Sequence, residues 1–284
     1  MRRSLVAVAL TLVLAPPAST AEPPARIAWT TSFASALAKA GAKGKPLMVE
    51  FWADWCGWCH VFERTTFSNA DVARLASDFV AVRIDTEGPA EQVKVAERYG
   101  ITGLPTILFL SPSGRPVLRV SGYQKPADFA RTLQSARQES AKVAGLERAI
   151  AAQPDNAEPL LQLGLRALDT EAIDDAQSLL VRAYHVDARL PVADRKRLRL
   201  VLGAMRRVER KYDESETLLK EALALAPADP ETDPQLLLTL GRLYASWDRP
   251  ADALKVLRRL VRDYPKSAAA ARAQQVLAYL EASR

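Results

Sequence analysis

Cys56 and Cys59 are the only cysteines in a chain of 284 residues, and they stand three apart in the segment WADWCGWCH. A Cys-x-x-Cys pair can cycle between dithiol and disulfide and so carry two electrons. With His60 directly behind it, the same pair also reads as Cys-x-x-Cys-His, the attachment motif of a c-type haem. So close a pair cannot act as a general staple for a chain this long, because the small loop it closes removes little unfolded-state entropy. Its value lies in the chemistry of the sulfurs.

What positions the pair decides which chemistry it does. KPLMVEFWAD (residues 45–54) is a short apolar run of strand formers bounded by Gly44 and Pro46 at one end and Asp54 at the other. SFASALAKA before it places Phe33, Leu37 and Ala40 on one helical face, and after it Cys56 opens a helix running to about Glu63. At the first turn of a helix, unpaired N–H groups and the positive end of the dipole stabilise a thiolate, drawing the thiol below its ordinary pKa of about 8.5. Cys56 is therefore the nucleophile. Cys59, one turn further in and more deeply placed, is the thiol that attacks the mixed disulfide and releases the product. Downstream, SNADVARLASDF is a capped helix, FVAVRID a second buried strand, and PAEQVKVAERYG a third helix closed by Gly100. LPTILFL, the turn SPSG and PVLRVSG form a hairpin, and a last helix starts near Pro126. Helices and strands in this order predict an α/β domain with a mixed central sheet. A haem would collide with that sheet, and its second axial ligand would have to come from Met48, Met205 or His185. Zinc is short of ligands, with two thiolates and one adjacent imidazole. No metal or cofactor is expected.

Residues 45–138 resemble the thioredoxin family, and within it the C-terminal domain of DsbD-type electron carriers. The resemblance rests on FWADWC, CGWC, TTFSNADV and YGITGLPTILFL. It implies that Pro105 is a cis-proline beside the dithiol, keeping the sheet edge open for a client's extended backbone, and that Leu104 offers main-chain hydrogen bonds to it. Glu50 stands where the family carries a buried acidic residue. A carboxylate in a strand covered on both faces should have a raised pKa and can take the proton from Cys59, unless Glu50 reaches water at an edge. Of the three indoles, Trp52 reads as core, Trp55 as lying over the site, and Trp58 as a client contact, as core or as simple surface cover. Two departures leave the direction of electron flow open. Gly57-Trp58 replaces the usual Gly-Pro, and the lysine common on the next strand is missing, with only Arg83 nearby.

No strand signal follows residue 139. Superposing Gly164, Gly203 and Gly241 reveals a repeat, with Ala176, Ser215 or Ala253 twelve residues on, Leu180, Leu219 or Leu257 at sixteen, and Ala183, Ala222 or Leu260 at nineteen. This resembles the tetratricopeptide pattern, in copies 39 and 38 residues apart. A half-repeat around Pro154 precedes the three copies, and SAAAARAQQVLAYLEASR closes them as a capping helix. The resemblance implies an all-α module that binds a protein or peptide partner. If a single helix runs through them, Arg195, Arg199, Arg206 and Arg210 fall on one side, reading as a docking stripe for an acidic partner or as a solvated face.

The organisation expected is a signal peptide over 1–21, a thioredoxin-like domain over 22–138 and helical repeats over 139–284. Arg2 and Arg3, the apolar run Leu5–Leu14 and small residues around Ser19 and Ala21 predict export with cleavage after Ala21, to the periplasm if the cell is Gram-negative. Residues 22–138 carry 14 basic against 11 acidic residues, and residues 139–284 carry 23 against 22, which disfavours a nucleic-acid partner. The function expected is thiol-disulfide exchange, more in the reducing direction, with protein thiols or disulfides as substrates and a membrane or soluble thiol as electron donor. The alternative is a non-catalytic binding, assembly or chaperone-like protein. Service to cytochrome c maturation is a narrower option, since GLPT stands where a Gly-Val-Pro-Glu segment would be expected.

Overall fold

A computed structural model describes residues 26–282. The export segment expected over residues 1–21 lies outside the described residues. The first half runs α1 (Phe33–Lys43), β1 (Leu47–Trp52), α2 (Gly57–Val61), α3 (Ala70–Ala76), β2 (Val80–Asp85), α4 (Ala90–Arg98), β3 (Thr106–Leu110), β4 (Pro116–Ser121) and α5 (Pro126–Ala152). The sheet order is β2-β1-β3-β4, with β1 parallel to β2 and the other pairs antiparallel, which is the mixed sheet expected. Local punctuation sets these elements. Ser32 and Asn69 cap α1 and α3 through their side-chain oxygens, and Gly44 ends α1 at φ 62°. A single parallel bridge from Thr30 to Val82 extends the sheet beyond β2.

Both faces of β1 are covered. Leu47, Val49 and Phe51 pack with Ala36, Ala40, Val82 and Ile84 on one side, while Met48 packs with Phe62, Val72, Phe109 and Phe129 on the other. Because side chains alternate along a strand, Glu50 shares the Met48 face, the one covered by the chain after Cys56.

The second half is helical throughout: α6 (Ala157–Asp169), α7 (Ile173–His185), α8 (Val192–Val208), α9 (Tyr212–Ala224), α10 (Thr232–Ser246), α11 (Pro250–Asp263) and α12 (Ala268–Ala282). The glycines explain the repeat. A Cβ on Gly164 would lie 2.7 Å from Leu180 Cγ, one on Gly203 would lie 2.9 Å from Leu219 Cγ, and one on Gly241 would be closer still to Leu257. Each pair of helices meets where one side has no side chain and the other presents the leucine sixteen residues on.

Arg195, Arg199 and Arg206 of the arginine series form neither a docking stripe nor a solvated face, while Arg210 is exposed. Arg199 is buried, paired with Asp187 and with Glu221 at 3.2 Å, its guanidinium 4.8 Å from the Tyr184 ring centre. Arg195 Nε is 3.6 Å from Asp187 Oδ2, and Arg206 pairs with Glu209 at 2.7 Å and Glu214 at 2.9 Å. Arg210 lies past the end of α8, at φ 63°. Packing against the turn Asp187–Arg189 and against α9 supplies carboxylates that a single helix read alone does not reveal.

The expected boundary at 138/139 falls inside α5. Phe129, Leu133 and Ala136 of α5 belong to the core beneath the sheet, and Val143 belongs to the core of the first repeats. A second tie is made by the turn between β3 and β4. Arg115 pairs with Glu147 of α5 at 3.1 Å and with Asp175 of α7, and Ser113 Oγ donates to Glu147 at 2.6 Å.

Candidate functional site

Cys56 is the N-cap of α2, in an extended conformation, and its Sγ accepts a hydrogen bond from Cys59 N–H at 3.2 Å. The two cysteines form a disulfide with their Cα atoms 5.3 Å apart. Both are buried in this oxidised state, so Cys59 is not markedly deeper than Cys56. The N–H that meets Cys56 Sγ is the group that would stabilise its thiolate after reduction.

The helix expected to run to about Glu63 changes character before that. After Val61 it continues as a π-helical turn over Phe62–Phe67. Two neighbouring threonines pull on this turn: Thr65 Oγ1 donates to Val61 O and Thr66 Oγ1 to Gln124 O, both at 2.7 Å. Phe62 stays in the core, and Glu63 is turned toward β2.

Glu50 is fully buried, as expected, and sits directly opposite Arg83 in the parallel register of β1 and β2. Arg83 Nε donates to Glu50 Oε2 at 2.6 Å, while its two terminal nitrogens donate to the Glu63 carboxylate at 3.2 and 2.9 Å. The guanidinium lies 5.3 Å from the ring centre of Trp29 and 5.2 Å from that of Trp52. Burial pushes the Glu50 pKa up from 4.5 to about 7; Arg83 draws it back in part, and the Glu63 charge adds to the rise. Glu50 Oε1 has no hydrogen-bond partner among the described residues. Trp52, expected in the core, is instead half-buried with the Arg83 cation over its ring, and Arg83 is a central member of the site that sequence reasoning noted only as nearby.

Around the disulfide, Trp55 and Trp58 are the exposed indoles, at 66% and 61% of their surface. Trp55 Nε1 donates to Glu87 at 2.7 Å, and Trp58 stacks on Tyr123 with ring centres 5.7 Å apart. His60 is half-buried, its Nε2 2.8 Å from Asp54 O. The Leu104–Pro105 peptide is cis, Pro105 is buried, and its carbonyl accepts from Gly122 N–H at 2.8 Å. Tyr123 is the residue the sequence did not flag; only its place after a glycine in a turn hinted at it. Among the described residues no three His, Cys, Asp or Glu side chains are grouped to hold a metal ion, and no helix is long and apolar enough to cross a membrane.

Comparison with known proteins agrees with this geometry. Residues 33–137 match the thioredoxin-like domain family, and residues 209–277 match the tetratricopeptide repeat family. The thiol:disulfide interchange protein DsbD of Yersinia enterocolitica is 41% identical over 101 residues, 34% of this chain and 18% of that protein. DsbD of Pseudoalteromonas atlantica is 40% identical over 101 residues, covering 34% of this chain and 17% of its own. The chain thus spans less than a fifth of the length of these curated relatives. The solution structure of a thioredoxin from Thermus thermophilus is 31% identical, with a TM-score of 0.35 over 38% of this chain and 85% of the thioredoxin. The chain carries a thioredoxin-like domain followed by tetratricopeptide repeats. A disulfide between Cys56 and Cys59 in such a domain is the equipment of a thiol-disulfide oxidoreductase.

Proposed function

We propose that this chain is an exported thiol-disulfide oxidoreductase working mainly as a reductase, with its helical repeats engaging a protein partner. The observation that carries this reading is the Cys56–Cys59 disulfide at the start of α2, on the sheet face that holds a buried Glu50. In the reduced protein the Cys56 thiolate attacks a client disulfide, forming a mixed disulfide and expelling one client thiolate. Glu50 takes the proton from Cys59, whose thiolate then attacks Cys56 Sγ and expels the second client thiolate. Two electrons pass to the client, its two thiolates take up two protons, and the Cys56–Cys59 disulfide remains. A membrane or soluble dithiol donor returns two electrons and two protons to restart the cycle.

A pKa of about 7 suits Glu50 to this task, since it can hold or release a proton near neutrality. The cis Leu104–Pro105 segment is suited to receive the client backbone, and it is tied through Gly122 to the loop whose Tyr123 stacks on Trp58. Arg2, Arg3 and the apolar run after them support export. A Cys59→Ser variant should accumulate mixed disulfides on Cys56 that vanish on adding Cys56→Ser. A dithiol potential near about −270 mV would support the reducing direction, and one near about −120 mV an oxidant. Failure to trap any partner, together with a variant lacking both cysteines that still complements a deletion, would instead favour a binding or assembly role centred on the repeats.

A further inference from the structure

Tyr123 touches both halves of the site. Its ring stacks on Trp58, one of the two residues between the cysteines, and meets Phe62 of the π turn edge-on at 5.5 Å between ring centres. Its hydroxyl lies 3.1 Å from Thr65 Oγ1 on that same turn. Its neighbour Gly122 is bonded to the carbonyl of cis-Pro105 and has φ 84°, which holds the loop in a conformation that favours glycine. One loop therefore ties the dithiol turn to the segment suited to receive a client backbone. Trp58 remains 61% exposed despite the stack, so its indole is held in place while still presenting surface to a visitor.

We infer that Tyr123 is a positioning residue that fixes the Trp58 indole as one wall of the client groove, so that the site selects polypeptide disulfides bearing an aromatic side chain beside the reactive cysteine. This deepens the reading of the chain as a thiol-disulfide oxidoreductase and rests on it. A free indole would sample many rotamers, and ordering it on client binding would cancel part of what stacking provides; a pre-stacked indole avoids that cost. Trp55, the other exposed indole beside the dithiol, is held differently, by its Nε1–H donating to Glu87.

The test uses the full-length mature protein, reduced and freed of reductant, in single turnovers against two symmetric peptide disulfides. The peptides differ only in a Phe or a Gly beside the cysteine, and thiol release is followed by chromatography. The wild type should reduce the Phe peptide about fivefold faster than the Gly peptide, the scale of one aromatic contact. In Tyr123→Ala that ratio should fall below about twofold, whereas Tyr123→Phe, which keeps the ring and loses the hydroxyl, should retain it. A ratio of two rates from one preparation does not depend on how much of the variant is folded. Equal wild-type rates on the two peptides, or an undiminished preference in Tyr123→Ala, would overturn the inference and leave the oxidoreductase reading intact. If the wild type reduces neither peptide nor a small aromatic disulfide reagent, that reading fails and the inference goes with it.

Discussion

Replacing Glu50 with Gln should make the protein more stable at neutral pH and remove a pH dependence that the wild type carries. In the folded protein Glu50 binds its proton with a pKa of about 7, against 4.5 for an unperturbed carboxyl, chiefly because the group is buried. Between those values the folded state holds a proton that the unfolded chain has released, so the free energy of unfolding falls as pH rises. At about 1.36 kcal/mol per pH unit the penalty amounts to roughly 3 kcal/mol once the carboxylate has ionised, and is absent below pH 4.5. Gln resembles the protonated carboxyl in size and neutrality and carries no such penalty. Urea unfolding between pH 5 and 8, with the disulfide intact, measures the difference. Tryptophan fluorescence reports mainly the α/β half, because Trp29, Trp52, Trp55 and Trp58 lie there and only Trp247 in the repeats. The wild type should lose roughly 2 kcal/mol more than Glu50→Gln from pH 5 to pH 7, with little further divergence above that. A stability gap that stays constant across this range, or widens toward acid, would refute the assignment of a buried, proton-holding Glu50.

Three further outcomes follow from the same geometry. Arg83→Leu removes the partner that draws the Glu50 pKa down, so the infrared band of its protonated carboxyl should persist above pH 7 instead of fading there. Gly241→Ala should destabilise the repeats by about 1–3 kcal/mol and more than Gly203→Ala, because its new methyl would sit closer to the facing leucine; thermal melts followed by helical circular dichroism would rank the two. Lys196 is fully buried, its Nζ 2.6 Å from Asp233 Oδ1. Lys196→Met should cost about 3–5 kcal/mol by leaving Asp233 without its cation, and adding Asp233→Leu should recover part of the loss in the same melts.

Those features marked by local chemistry were readable from the chain alone. The strand leading into Cys56 declared itself by an apolar run between Gly44-Lys45-Pro46 and Asp54, and the hairpin by SPSG between two such runs. The repeat was readable because a glycine and a leucine sixteen residues apart meet in every copy, a constraint that leaves a fixed spacing. What escaped depends on register and neighbours. Nothing near Arg83 in the sequence says that it faces Glu50, because that pairing is set by how β1 and β2 align at a sequence separation of 33. The Thr30 bridge is a single residue with no periodicity to betray it, and the π turn depends on where two threonine hydroxyls find acceptors. For α8 the helix holds through Arg206 but ends before Arg210, and Asp187, Glu214 and Glu221, which meet its arginines, come from other elements.

The continuous α5 and the Arg115 clasp give the molecule a built-in ruler. The sheet is about 20 Å long over the six residues of β1, with the dithiol beyond its Trp52 end and the Arg115 turn beyond its Leu47 end. No slack tether joins the halves along this path, so if the repeats hold a client on the α7 side of the clasp, that polypeptide must itself cover at least this span to reach Cys56. At about 3.3–3.6 Å per extended residue such a client would need at least about six residues between the held segment and its cysteine, and shorter spacers would leave the sulfur stranded out of range.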